Sequence, residues 1–233
     1  MIADIVRPPV AAAEAFGDLP DAELYPRYPL YPLYPGEEAV IAHAVEGRRR
    51  EFATGRACAR AALAQLGVPG AAILPGARGA PQWPAGVVGS ITHCAGYRAC
   101  AVAFGRDVVA IGVDAEPNRS LREGVLRAVA GEAEEARVRA LRAEIPEVCW
   151  DRLLFSAKES VYKAWFPLTG RRLRFRDARV DFDPGQATFS ARLVVDGPVV
   201  NGAALAGLDG RWVVGGGLLA TAIVVPRRGG GAG

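Results

Sequence analysis

Two short acidic segments contain the side chains best suited to chemistry. Asp114 and Glu116 stand two residues apart at the end of a predicted strand, so both carboxylates face the same side of it. Neighbouring carboxylates repel each other unless a cation lies between them, and Mg²⁺ typically takes one or two carboxylates together with phosphate oxygens. Glu159, between Lys158 and Ser160, would add a third carboxylate. The pattern favours a metal site that handles a phosphate group.

Glu159 belongs to a segment, residues 150–166, that is predicted to form a helix with one apolar side. A largely buried helix that carries a carboxylate between two lysines needs an explanation, because an unpaired buried charge costs free energy. One explanation is an active site. The other is an exposed Glu159–Lys163 pair one turn apart, which contributes about 0.3–0.5 kcal/mol. The helix alone leaves both explanations open.

His93 ends the polar run Ser90-Ile91-Thr92-His93 in a glycine-flanked strand region. Ser90, His93 and Asp114 together would suit a hydrolase triad, but no G-x-S-x-G turn surrounds Ser90. The sequence also lacks G-x-x-x-x-G-K-[ST] and G-x-G-x-x-G phosphate-binding loops. A phosphate site in this chain would therefore be built from Arg, Lys, His and a metal.

Arginines follow one side of a helix predicted from about residue 48 to 66. Arg49, Arg56 and Arg60 share a face, with Arg48 at its edge, and apolar residues at helical spacing form a core-facing side. Such a basic stripe is either a solvated surface or an anion-binding wall, and the spacing fits both.

The predicted elements pass twice from helices to strands along the chain. Strands are expected at residues 87–92, 97–104, 108–113, 177–183, 187–195, 212–214 and 219–225, with a hairpin turn at 105–107. This order predicts an α+β protein of two similar halves, residues 1–110 and 111–226, with a cleft between them. A proline-rich stretch at residues 25–35 is expected to wrap the surface, and residues 227–233 are expected to be disordered.

Composition excludes several classes of protein. The 233 residues are 51% hydrophobic and 23% charged, which is ordinary for a globular protein with a sizeable core. The formal net charge of +3 suits a phosphorylated small molecule or an acidic protein partner, and it is too weak to indicate nucleic acid. Four cysteines without C-x-x-C spacing and two histidines argue against structural zinc and favour a reducing compartment.

Membrane association is not expected from this sequence. The N-terminus lacks a basic leader with an apolar run. The longest apolar run, residues 212–225, is broken by glycines and is shorter than the roughly 20 residues that span a bilayer. We therefore expect a cytoplasmic protein without a membrane partner.

Four segments occur in an order and spacing that resemble a known family. They are GRACAR (55–60), PQWPAGVVGSITHCAGY (81–97), IGVDAEP (111–117) and WDRLLFSAKESVYKAW (150–165). Together they resemble the 4′-phosphopantetheinyl transferases, in the actinobacterial form of the branch that includes enterobactin synthetase component D. The resemblance implies a monomeric α/β pseudo-dimer, in which a pseudo-two-fold axis relates the halves and coenzyme A binds between them.

The resemblance also implies a reaction. The family transfers the 4′-phosphopantetheine arm of coenzyme A to a serine of an apo acyl or peptidyl carrier protein and releases adenosine 3′,5′-bisphosphate. By this resemblance, Asp114, Glu116 and Glu159 would hold Mg²⁺, or alternatively Mn²⁺, on the pyrophosphate. Glu159 matches a residue proposed as general base, although a nearby cation lowers the pKa of a carboxylate and makes it a poorer base. We therefore expect Glu159 to position the serine or a relaying water.

Further residues are implied in binding coenzyme A. The lysines Lys158 and Lys163 match family lysines near the pyrophosphate, and Lys163, one turn beyond Glu159, could also take a catalytic part by steadying the charge of Glu159. The others match residues that contact the phosphates: Thr92, His93, Arg48 and Arg56. Relatives often carry a lysine where this chain has Pro75, and Arg78 is the nearest substitute.

Two other functions compete with carrier-protein modification. A metal-dependent phosphodiesterase or nucleotidyl transferase would use the same carboxylates on coenzyme A-like substrates without a carrier protein. A non-catalytic module that binds coenzyme A or a carrier would not need the three acidic residues. The carrier itself stays open among fatty-acid, polyketide and nonribosomal-peptide synthases, and this branch favours the latter two.

Overall fold

The computed structural model describes residues 1–17 and 33–228. Six α-helices lie within these ranges: α1 (Ile2–Ile5), α2 (Pro35–Val40), α3 (Glu46–Gln65), α4 (Val125–Val129), α5 (Glu132–Glu144) and α6 (Trp150–Thr169). Most of the predicted proline-rich wrap, and residues 229–233 of the predicted tail, lie outside the described residues.

The same ranges contain ten strands, which are all antiparallel to their neighbours. They are β1 (Ala11–Phe16), β2 (Val87–Cys94), β3 (Tyr97–Phe104), β4 (Val108–Pro117), β5 (Ala178–Asp183), β6 (Thr188–Leu193), β7 (Val199–Val200), β8 (Ala203–Ala204), β9 (Gly207–Gly215) and β10 (Leu218–Pro226). One sheet has the order β1-β3-β2, a second has the order β4-β10-β9-β6-β5, and β7 pairs with β8. The mixed helix and antiparallel-sheet composition confirms the predicted α+β class at this level.

The turn at residues 105–107 does not form the predicted hairpin. It connects β3 to β4, yet these strands belong to different sheets. Strand β3 already has β1 on one side and β2 on the other, so no free edge remains for β4. The sequence reasoning overlooked β1, whose alanine-rich run Ala11–Phe16 has no strong strand pattern.

Side-chain hydroxyls connect the two larger sheets where their edges meet. Strand β4 pairs with β10 on one side, and its other side faces β2. There the amides of Val113 and Ala115 donate to the hydroxyl oxygens of Ser90 (3.1 Å) and Thr92 (2.9 Å). Because buried backbone amides need acceptors, these two hydroxyls take the place of a backbone ladder. We call this contact the seam.

Each larger sheet buries one face under a helix. Helix α3 packs on the three-stranded sheet through small and apolar residues such as Ala59, Ala62 and Leu63. Helix α6 packs on the five-stranded sheet, where the Trp150 ring contacts those of Phe182 and Trp212 edge-on, with centroids 5.7 and 5.4 Å apart. No helix among the described residues is long and apolar enough to cross a membrane.

Helix α6 approaches β4 so closely that only glycine fits at position 112. A Cβ atom at Gly112 would lie 2.0 Å from the carbonyl oxygen of Ser160 and 2.7 Å from the amide nitrogen of Ala164. The Ser160 hydroxyl lies 2.6 Å from the Thr221 hydroxyl on β10, which holds the helix in register over the sheet. This packing fixes the position of Glu159 and Lys163 relative to Asp114.

The Gly112→Ala variant should lose both stability and activity. The added methyl group must push α6 away from β4, and overpacking of this kind typically costs about 1–3 kcal/mol of unfolding free energy. Chemical denaturation measures this loss. The control is Gly47→Ala in α3, where an added Cβ would meet no atom within 4 Å and should be neutral or stabilising. Equal stability of the two variants would contradict the packing argument.

Candidate active site

Asp114 and Lys163 form the contact between β4 and α6 at the centre of the site. The Lys163 Nζ atom donates to Asp114 Oδ1 (2.7 Å) and to the Val113 carbonyl (3.0 Å). The sequence suggested that Lys163 would steady the Glu159 charge one turn away. In the structure its ammonium group donates directly to one oxygen of the Asp114 carboxylate, and its charge also favours the ionised form of Glu159.

The second oxygen of Asp114 is available to a ligand. Asp114 Oδ2 is buried and has no hydrogen-bond partner among the described residues. A buried carboxylate oxygen without a partner costs free energy, and such groups are rare in folded proteins. A bound cation would remove this cost, since it supplies the positive charge that the fold does not place there.

Glu159 lies on α6, near enough to Asp114 for the two carboxylates to repel each other. Burial raises the pKa of the Glu159 carboxyl, repulsion from Asp114 raises it further, and Lys163 opposes both effects. No hydrogen bond to the Glu159 side chain occurs in the part of the chain that the structure describes. Its carboxylate is therefore half-buried, near another negative charge and free to bind a ligand.

Glu116 provides the third carboxylate, two residues beyond Asp114 on β4. Burial and repulsion from Asp114 raise the pKa of Glu116, while Arg152 and Lys163 oppose them. Arg152, on the first turns of α6, donates to Glu116 Oε2 at 3.0 Å. The sequence reasoning missed Arg152, because one arginine among many gives no signal until the helix is placed against β4.

These carboxylates fit a metal ion that a substrate helps to bind. Within residues 1–17 and 33–228, no group of three His, Cys, Asp or Glu side chains is arranged closely enough to hold an ion by itself. Mg²⁺ does not need such a group, since it usually binds through one or two carboxylates, water and substrate phosphates. The unpaired Asp114 oxygen and the raised pKa of both glutamates are consistent with this kind of site.

His93 and Arg48 form a second basic region, held by a carboxylate that the sequence reasoning missed. Glu51 Oε1 contacts His93 Nδ1, and Glu51 Oε2 accepts from Arg48 at 2.8 Å. The His93 Nε2 atom lies 3.5 Å from the Arg48 guanidinium. Burial lowers the pKa of His93, and Glu51 opposes this effect. The spacing of Arg48 and Glu51, three residues apart on α3, is the signal that could have revealed this pair.

Arg56 is placed deeper than a phosphate-binding arginine at the surface. Its Nε atom donates to the Ile73 carbonyl (2.7 Å), and its guanidinium lies over the Phe52 ring. Burial lowers the pKa of Arg56 to about 10. Its neighbour Arg60 is fully buried and binds Glu37 through both carboxylate oxygens (2.9 and 3.0 Å). The arginine stripe is therefore divided, with Arg48 and Arg49 exposed and Arg56 and Arg60 buried.

The structure does not bring Lys158 to the carboxylates. Its side chain is buried, and its ammonium group donates to Glu134 Oε2 (2.8 Å) and to the carbonyls of Val129 (2.9 Å) and Phe175 (2.8 Å). An ammonium group has three donors, so none remains for a pyrophosphate. Adjacent helical residues point about 100° apart, which is why Lys158 and Glu159 reach different surroundings.

Thr92 and Ser90 lie at the seam rather than in a catalytic triad. Each hydroxyl oxygen accepts a β4 amide, and Thr92 Oγ1 is 3.5 Å from Asp114 Oδ1. Ser90 is buried by this contact, so it is not placed as a nucleophile for His93. The hydrolase alternative therefore has no geometric support.

A cavity of about 590 Å³ opens beside Glu159 and Lys163. Residues 76–83, strands β2 and β4, and α6 line it, and apolar side chains including Trp83, Ile91 and Phe166 cover much of its wall. Arg78 lines it as well, from an exposed turn in which its backbone φ is 55°. The cavity can accommodate a mostly apolar chain that ends at Glu159.

Comparison with known proteins identifies the family of this chain. Residues 36–103 match the family model described as the 4′-phosphopantetheinyl transferase N-terminal domain, and residues 110–198 match that of the 4′-phosphopantetheinyl transferase superfamily. The chain is 51% identical over 228 residues to the 4′-phosphopantetheinyl transferase Svp of Streptomyces mobaraensis, covering 97% of this chain and 89% of that protein.

Two further relatives belong to the same group. The 4′-phosphopantetheinyl transferase PptT of Mycobacterium tuberculosis is 48% identical over 221 residues, covering 93% of this chain and 96% of that protein. Enterobactin synthase component D of Salmonella typhi is 35% identical over 121 residues, covering 51% of this chain and 48% of that protein. The chain therefore belongs to the 4′-phosphopantetheinyl transferase superfamily.

Proposed function

We propose that the three carboxylates at the meeting point of β4 and α6 catalyse the reaction of this family. The serine hydroxyl of an apo carrier protein attacks the β-phosphorus of coenzyme A, and the bond from that phosphorus to the bridging oxygen breaks. Adenosine 3′,5′-bisphosphate leaves, and the serine proton passes to a base or to water. The observation that supports this assignment best is the unpaired, buried Asp114 oxygen beside Glu159.

Asp114, Glu116 and Glu159 would hold Mg²⁺, with Mn²⁺ as the alternative. The bound ion would neutralise the negative charge that develops on the pyrophosphate. Lys163 holds one Asp114 oxygen at 2.7 Å, so that the other is oriented toward the ligand. Arg152 restrains Glu116 in the same way. Lysine and arginine thus position the carboxylates rather than the substrate.

Glu159 would orient the attacking hydroxyl, directly or through a water molecule. Its raised pKa would make the carboxylate a better base than an exposed glutamate, while a neighbouring cation would have the opposite effect. Burial raises the pKa of Glu159 and a bound cation would lower it, so the two effects on its basicity oppose each other. Positioning and metal binding therefore account for the role of Glu159 better than simple proton abstraction does.

The phosphates of coenzyme A would lie along the Arg48–His93 side of the site. Burial lowers the pKa of His93 and Glu51 opposes this effect. The His93 ring and the Arg48 guanidinium, 3.5 Å apart, can contact the same anion. Arg56, Arg78 and the Thr92 hydroxyl stay as proposed secondary contacts. The apolar cavity beside Glu159 suits the pantetheine arm, whose two amides and short alkyl groups need few charged partners.

The architecture is consistent with a monomeric pseudo-dimer whose halves are residues 1–110 and 111–226. In each proposed half a long helix covers an antiparallel sheet, and each contributes one strand to the seam. A pseudo-two-fold relation between them is part of the proposal. The four cysteines are unpaired, which agrees with a cytoplasmic location, and carriers of polyketide and nonribosomal-peptide synthases are the proposed acceptors.

The Asp114→Asn variant should lose carrier modification. The substitution keeps the side-chain volume but removes the charge that holds the metal, and we expect a fall in kcat of about 10²–10³-fold. Intact mass of an apo carrier protein after incubation with coenzyme A and Mg²⁺ measures the transfer. Chelation should abolish it, and the exposed Asp181→Asn variant is the matched control. Release of adenosine bisphosphate without a mass gain on the carrier would favour the phosphodiesterase alternative.

The Glu159→Gln variant separates metal binding from base catalysis. We expect the Mg²⁺ concentration for half-maximal rate to rise by about 10-fold, while the acid limb of the kcat–pH profile persists at saturating metal. Steady-state rates over a grid of pH and Mg²⁺ test this, with the exposed Glu132→Gln as the control. If the acid limb disappeared and the metal requirement did not change, Glu159 would be the general base.

The Glu51→Gln variant should shift the pH dependence of coenzyme A binding. Glu51 raises the pKa of His93 against the effect of burial, so its loss lowers that pKa further. His93 then deprotonates at a lower pH, and the rise in KM for coenzyme A should begin at a lower pH than in the parent enzyme. Glu46→Gln, at the start of the same helix, should leave the profile unchanged. An unshifted profile in Glu51→Gln would contradict this coupling.

A further inference from the structure

A basic groove of about 700 Å³ lies beside Glu159, on the chain segment that follows α6. Four arginines line it, Arg78, Arg172, Arg174 and Arg176, which we call the arginine groove. We propose that the arginine groove is the docking surface for the acidic face of the apo carrier protein around its acceptor serine. This inference rests on the proposed function and identifies where the second substrate binds.

The segment that carries these arginines is fixed against the protein core. Gly170, at φ 63°, ends α6. Leu173 and Phe175 then turn inward, while the arginines that alternate with them face outward. The Phe175 ring lies 5.7 Å from that of Phe155, and its carbonyl accepts from the buried Lys158. The backbone that carries the arginines is therefore already fixed before a partner binds. Ordering this segment adds little to the free-energy cost of binding.

The positive charge of the groove is only partly balanced, because two carboxylates, Glu159 and Asp177, line it beside the four arginines. Among the described residues, the exposed guanidinium groups of Arg172 and Arg174 have no hydrogen bond, ion pair or ring contact. Arg171 shows the contrast, because it lies over the Trp165 ring and donates to the Asp196 carbonyl. A cluster of unpaired like charges around a concave surface attracts a partner of opposite charge.

The position of Glu159 indicates a macromolecular partner. Glu159, Tyr162 and Arg78 line both the apolar cavity and the arginine groove, so the catalytic carboxylate lies between the two. The cavity suits the slender pantetheine arm, whereas the acceptor serine must reach Glu159 from outside on a folded domain. The groove offers such an approach to Glu159, and its excess of arginines matches an acidic protein.

The test is the double charge reversal Arg172→Glu with Arg174→Glu, compared with Arg179→Glu with Arg192→Glu. The control pair lies directly opposite on β5 and β6, on exposed positions of the sheet that alternate with those facing α6. The probes are an acidic apo acyl carrier protein, coenzyme A and Mg²⁺. Thermal unfolding of all variants verifies that each is folded.

We expect the groove variant to raise KM for the carrier protein at least 10-fold, to leave KM for coenzyme A unchanged, and to weaken the salt dependence of the rate. The control variant should behave like the parent enzyme. An unchanged carrier KM would overturn the docking inference, and a raised KM for coenzyme A would assign the groove to that substrate's phosphates instead. If the parent enzyme failed to modify any carrier, the proposed function itself would be wrong.

Discussion

The site depends on the close packing of α6 against β4 at Gly112. Two carboxylates come from the strand, the third carboxylate and a lysine come from the helix, and neither element alone makes a site. The helix backbone lies so near the strand that a single methyl group at position 112 would overlap the Ser160 carbonyl. The hydroxyls of Ser160 and Thr221 fix the register of this contact. Backbone proximity, rather than any catalytic side chain, therefore sets the geometry of the reaction.

The electrostatic balance of the site is incomplete without a substrate. Asp114, Glu116 and Glu159 lie on two adjacent elements, and Lys163 and Arg152 each neutralise only part of their charge. The outcome is a pair of glutamates with raised pKa and one aspartate oxygen without a partner. Such an arrangement reduces the stability of the free protein and favours a bound cation. It also gives a reason for the metal and the pyrophosphate to bind together, since the cation neutralises the phosphate charge and the phosphate oxygens complete the ligands of the cation.

Much of this arrangement could be predicted from the sequence. The helix around Glu159, the strand that ends in Asp114 and Glu116, and the arginine-bearing helix all follow from periodicity and from glycine and proline signals. The predicted hairpin at residues 105–107 was wrong, because the alanine-rich β1 occupies the edge of β3 that a hairpin would need. Strand propensity cannot reveal that β1 and β4 compete for one edge of β3, since β1 lies about 90 residues away from β3 in the chain.

The surroundings of individual charges were harder to predict than the elements that carry them. Glu51 and Arg152 acquire their roles only when α3 and α6 are placed against the sheets. Conversely, Lys158 stands beside Glu159 in the sequence but points into the core. That two charged residues are neighbours in the sequence says little about the surroundings that each will face in the folded protein.

The buried ammonium group of Lys158 affects how genetic data on this protein would be interpreted. Its three contacts join α6 to the end of α4, to α5 and to the segment that follows α6. Loss of the ammonium would leave Glu134 as an uncompensated buried charge. Substitutions there should reduce the amount of enzyme that accumulates in a cell, whereas substitutions at Glu159 should reduce the turnover of each molecule. A growth screen would score the two neighbours alike, and only a parallel measurement of protein abundance would distinguish them.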